Sequence, residues 1–99
     1  MTDYADHIRR HRRLAILRHL EACSEYTSNV SILADVLRGL GVQSTRSQVI
    51  TELAWLKDNG FVMTTDHGDF VIATATVSGA EIARGLSTHP EIQRPNPRG

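Results

Sequence analysis

The sequence predicts an α+β domain, mainly α, in which two helices joined by a tight turn run straight into a β-hairpin. Three observations lead there. Residues 44–60, STRSQVITELAWLKDNG, begin with a hydroxyl and an amide at capping-box spacing, Thr45 and Gln48, and end on Gly60, the residue type suited to the left-handed position past a helix end. A second helical stretch, about residues 30–40, joins it through a turn holding Gly41. Directly after Gly60 the apolar residues change from helical to strand-like spacing. With a long helix at the start and a shorter one after the hairpin, residues 1–86 form one domain and 87–99 a proline-rich tail, extended or disordered.

The first helix, residues 4–23, has no Pro or Gly, and Thr2 or Asp3 can cap it. Leu14, Ile16, Leu17 and Leu20 form its core stripe, while Tyr4, Ile8, His11, Ala15, His19 and Ala22 follow another side. That second side is either a half-exposed flank or a seam for a second copy. The cluster RRHRR supplies Arg9, Arg10, Arg12 and Arg13, which cannot all point one way. It is either a solvated face paired locally with Asp6 or Glu21, or a contact for phosphates or an acidic partner.

Residues 25–29 read as a loop, from which Ser28 or Asn29 caps the second helix with Ile32, Leu33, Val36, Leu37 and Leu40 inward. In the third helix Val49, Ile50, Leu53 and Leu56 make the core stripe, and Ser47, Gln48, Thr51, Trp55 and Asp58 the opposite side. Strands at 61–64 and 70–72 flank an Asp66–Asp69 turn, and a hairpin in that place is the wing of a winged helix-turn-helix. Thr76 or Ser78 opens a last helix carrying Ala80, Ile82, Ala83 and Leu86.

Composition narrows the function classes. A chain of 99 residues, 40% hydrophobic and 22% charged, suits one globular domain. It has no long apolar run, which predicts no membrane span and a cytoplasmic protein. The single Cys23 excludes an intrachain disulfide, and no phosphate loop, nucleophile arrangement or paired-carboxylate motif points to an enzyme or a cofactor. His7 and His11, four apart, lack a third ligand of clear spacing, so no metal is expected.

The block LAWLKDNGFV resembles the end of a recognition helix entering the first wing strand, and ATATVSGAEIA resembles the wing-to-helix segment of MarR-like and PadR-like regulators. Together with Tyr4-Ala5, RRLAILRHL and the terminal HPEIQRPNPRG, these blocks make the whole chain look like a small winged-helix family of Mu-like prophages. The resemblance implies a winged-helix fold and a phage context, without a mechanism.

Two functions follow as expectations. The first is a phage regulator binding double-stranded DNA as a homodimer. Arg46, Ser47, Gln48, Thr51 and Trp55, with His67 on the hairpin, would meet DNA; Arg9, Arg10, Arg12 and Arg13 would meet phosphates or a partner; Tyr4, Ile8, His11, Ala15, His19, Ile82 and Leu86 would form the dimer interface. The second is a protein-interaction module for a phage or host protein. Zero net charge, Asp66 and Asp69 in the hairpin turn, and an outward-facing Trp55 favour it.

Overall fold

The computed structural model describes residues 4–95. Capping of the first helix by Thr2 or Asp3, and the tail from residue 96 with Pro97, lie outside the described residues. The chain runs α1 (Tyr4–Ala22), a 3-10 turn, β1 (Thr27–Asn29), α2 (Val30–Gly39), α3 (Arg46–Asp58), β2 (Val62–Asp66), β3 (Val71–Ala75) and α4 (Val77–Ala83). It is an α+β fold, mainly helical, with three antiparallel strands in the order β1-β3-β2. No helix among the described residues is long and apolar enough to cross a membrane.

Local signals for the helix starts are realised as side-chain caps. Thr45 Oγ1 accepts from Gln48 N at 3.1 Å and Gln48 Oε1 accepts from Thr45 N at 2.9 Å, a complete capping box. Asn29 Oδ1 accepts from Ile32 N at 2.9 Å and starts α2. Gly60, at φ +81°, ends the segment after α3 and lets Phe61 N return to Leu56 O.

The core forms around α1. Ile16, Leu17 and Leu20 are fully buried against Leu33 and Leu37 of α2, Val49 and Leu56 of α3, and the neighbouring strands and α4. The buried stripes are narrower than the apolar pattern predicts. On α2 the inward set is Val30, Leu33 and Leu37; Ile32 lies on the far side of the helix and Leu40 past its end, and both are exposed. On α3, Ile50 is exposed and Glu52 is buried in its stead.

The strand β1 is the largest departure from the expected loop. Thr27, Ser28 and Asn29 pair with Thr74, Ala73 and Ile72 of β3, and the hydroxyls of Thr27 and Thr74 lie 2.9 Å apart. Three polar residues have no alternation to read; β3 supplies the partner that makes them a strand. The hairpin is longer than expected, with Val62–Asp66 paired to Val71–Ala75.

The start of α4 locks the hairpin to α3. Thr76 Oγ1 accepts from Gly79 N at 3.1 Å and donates to Gly60 O at 2.7 Å, while Thr76 N donates to Phe61 O at 3.0 Å. Gly79 is buried against that same Phe61 carbonyl, so a side chain there would enter the van der Waals shell of the oxygen. Gly79→Ala is therefore expected to destabilise the fold by about 3 kcal/mol. The check is the urea midpoint at unchanged slope.

Candidate nucleic-acid interface and the arginine network behind it

Helix α3 has one bare face and one locked face. Arg46, Ser47, Gln48, Ile50, Thr51, Ala54, Lys57 and Asp58 are all exposed. Of the predicted reading residues, Arg46, Ser47 and Thr51 stand free on this face, whereas the Gln48 side chain is already engaged in the capping box. The hairpin turn begins just past Asp66: its Oδ1 accepts from Gly68 N at 2.8 Å, and His67 stacks on Phe70 with centroids 4.7 Å apart. Asp66, His67 and Asp69 are exposed, so the hairpin presents an acidic tip.

The locked face is organised by Glu52, which is 4% exposed. Arg13 Nε donates to Glu52 Oε1 at 2.7 Å. Arg12 Nη1 and Arg9 Nε lie 3.8 and 3.9 Å from Oε2. Arg12 Nε donates to Ser44 Oγ at 2.6 Å, and Ser44 Oγ donates to Val42 O, which ties the turn before α3 to α1. Arg9 also donates to Asp6 at 2.6 Å. Burial pushes the Arg12 guanidinium below its ordinary range; Glu52 opposes this, and Arg9 and Arg13 add to it.

These contacts correct the expectation for the RRHRR cluster. Arg12 and Arg13 are buried inside the protein with Glu52 as their counter-ion, and so are not presented to phosphates. The reason is that α1 crosses α3 with this face inward; a buried guanidinium needs a carboxylate, and Glu52 stands opposite. Arg9 remains partly exposed, and Arg10 accepts Gln93 N at its carbonyl. The predicted local pair with Asp6 forms, while Glu21 pairs instead with Arg84 at 3.0 Å.

Trp55 is likewise turned inward, half-buried rather than presented to DNA. The Arg13 guanidinium sits 3.8 Å over its ring, and His89 meets it edge-on at 5.2 Å. His89 also meets Phe61 at 5.7 Å, and its Nδ1 accepts from Glu91 N at 3.0 Å. Arg13 Nη1 donates to Glu91 O at 2.9 Å. Residues 87–95 are thus a packed strap, and Ile92, 3% exposed, belongs to the core. The tail expected to be extended or disordered is instead packed, as far as residue 95, through this isoleucine, His89 and the Arg13 contact.

The predicted dimer seam splits. Tyr4 and Leu86 are exposed, and Ile8, His11 and His19 are half-buried. Ala15 packs on the core, and Ile82 is inside it, because α4 lies on α1 of the same chain. His19 lies 3.3 Å from Ser28 Oγ and 3.4 Å from Cys23 Sγ. His7 and His11 touch edge-on at 5.7 Å, and no group of three metal-ligating side chains converges among the described residues.

Sequence reasoning missed Glu52, Ser44, His89 and Ile92 as parts of this arrangement. For Glu52 a signal existed: it precedes Leu53 and stands one turn before Leu56, on the edge of the apolar stripe, four residues from a core position. The others carry no local mark.

No known family profile matches the chain. Its sequence is 34% identical over 87 residues to a protein of Escherichia phage Mu, the uncharacterised gp26, across 88% of this chain and 90% of that relative.

Glu52→Ala leaves three arginines facing no carboxylate on α3 and is expected to destabilise the fold by about 3 kcal/mol. A double-mutant cycle with Arg13→Ala should give a coupling of about 2 kcal/mol in denaturant unfolding. Truncation after Leu86 should lose about 2 kcal/mol through Ile92 alone. Because Trp55 is the single tryptophan, its emission should shift to the red as His89 is removed.

Proposed function

The chain belongs to the family of the phage Mu protein gp26, and from that premise we propose that it is a winged-helix protein that binds double-stranded DNA as a homodimeric phage regulator. Support for the fold name comes from the order helix, strand, helix, helix, hairpin, and from a sheet in which β1 and β2 flank β3. The observation that carries the functional reading is the bare N-terminal half of α3. Its exposed Arg46, Ser47 and Thr51 offer donors and acceptors to base edges and phosphates, while the buried Glu52 pairs hold the helix in one orientation behind them.

The charge distribution dictates how such a protein would bind. Arg46 and Lys57 are the exposed cations of α3, and the acidic hairpin tip keeps away from phosphates. Affinity would come from few phosphate contacts and would fall gently with salt. A mobility-shift series from ~50 mM salt upward should give a log–log slope of roughly −4 for a dimer with two such contacts per copy. Arg46→Ala removes one contact from each copy, and should weaken binding at least tenfold and flatten the slope by about two. No shift on any duplex at ~50 mM salt, the encoding locus included, overturns the proposal.

One observation favours a second reading, a protein-interaction module. Arg12 and Arg13 of the basic cluster are withdrawn behind α3, and the hairpin shows carboxylates beside an exposed Phe70. In that case the hairpin surface, and not α3, would carry binding. Asp69→Lys would then abolish partner recovery while Arg46→Ala left it unchanged.

A further inference from the structure

Away from α3, a cleft of about 910 Å³ opens between α1 and the strap, with Arg18, Arg84 and Arg94 around it and Leu14 and Pro95 in its walls. No carboxylate lines it among the described residues. Arg84 is engaged by Glu21 and by the Tyr26 hydroxyl at 2.6 Å, whereas Arg18 and Arg94 are exposed and enter no ion pair among the described residues. An adjoining recess of about 450 Å³ shares Gln93 and Arg94 and adds Arg10. The Nε of Arg10 is buried without a hydrogen-bond partner among the described residues. Guanidinium groups around a concave, partly apolar wall suit carboxylates on a protruding segment. The broad convex backbone of a duplex does not fit between a helix and a strap.

The same chain carries a matching segment. At the hairpin tip Asp66 and Asp69 are exposed on either side of His67 and Gly68, and Phe70, 46% exposed, supplies an apolar companion. The zero net charge of the chain therefore conceals a positive cleft and a negative tip.

We propose that the cleft receives the hairpin tip of a second copy of this chain, with Arg18 and Arg94 meeting Asp66 and Asp69. Cleft and tip are different surfaces, so the contact is head-to-tail and propagates from copy to copy until it closes in a ring or extends as a filament. It is separate from a two-fold dimer and from any DNA contact of α3.

The test is sedimentation velocity on the full chain and two variants, each checked for folding by circular dichroism. Arg18→Ala with Arg94→Ala disables the cleft. Asp66→Asn with Asp69→Asn disables the tip while an amide oxygen still accepts from Gly68 N. The wild-type chain should form species that grow with concentration at ~50 mM salt and weaken at least tenfold at ~500 mM. Neither variant alone should show this growth, and an equimolar mixture should give a one-to-one complex of the two variants, since one supplies a tip without a cleft and the other a cleft without a tip. A wild type that does not grow, a variant that still grows, or a mixture that forms no mixed complex overturns the proposal. So does a cleft that binds poly-glutamate while copies of the chain ignore one another, which marks it as a site for a foreign acidic partner. Loss of a DNA mobility shift leaves all these outcomes unchanged.

Discussion

A single carboxylate, Glu52, holds three parts of the chain in register. Through Arg13 it fixes the angle of α3 on α1; Arg12 carries the constraint to Ser44 and the turn before α3; Arg13 extends it to the strap at Glu91. Desolvating these charges opposes folding, and the attraction between them offsets much of that penalty, so the network adds little net stability. What it adds is a defined orientation. A purely apolar contact would let α3 slide or roll; a guanidinium bonded at 2.7 Å to a buried carboxylate does not. Trp55 is drawn into the same arrangement, under the Arg13 guanidinium and beside His89.

A second constraint acts at the other end of α3. Thr76 and Gly79 converge on the carbonyls of Gly60 and Phe61. The two sequence blocks that resemble regulator motifs, LAWLKDNGFV and ATVSGAEIA, are therefore two halves of one contact. The first presents carbonyls as it leaves the helix. The second answers with a hydroxyl donor, a backbone N–H and a residue without a side chain. A threonine and a glycine three apart serve both purposes: the threonine caps α4, and the glycine lets α4 approach.

Net charge says less about this protein than the placement of charge. The densest basic stretch is neutralised internally by Glu52, Asp6 and Glu91. The exposed cations are dispersed over α2, α3 and the cleft beside the strap, and the exposed carboxylates include a pair at the hairpin tip. Binding surfaces on such a molecule are local and sign-specific. Long-range attraction of the whole chain to a polyanion is weak.

The sequence alone determined what depends on neighbours a few residues apart. The mainly helical α+β class, α1 to within a residue, the capping box at Thr45 and Gln48, the Gly60 stop and the hairpin were all legible, because caps and periodicities are written in contiguous residues. Tertiary structure decided the rest. β1 exists because β3 lies beside Thr27–Asn29, not because of its own composition. Arg12 and Arg13 are core residues because Glu52, forty and thirty-nine positions away, faces them across a helix crossing. Ile92 and His89 leave a stretch that reads as a polar tail and enter the fold because Trp55 and α1 leave a place for them. A charged side chain carries no local mark of whether it will meet water or a counter-ion; only the crossing of the helices decides it.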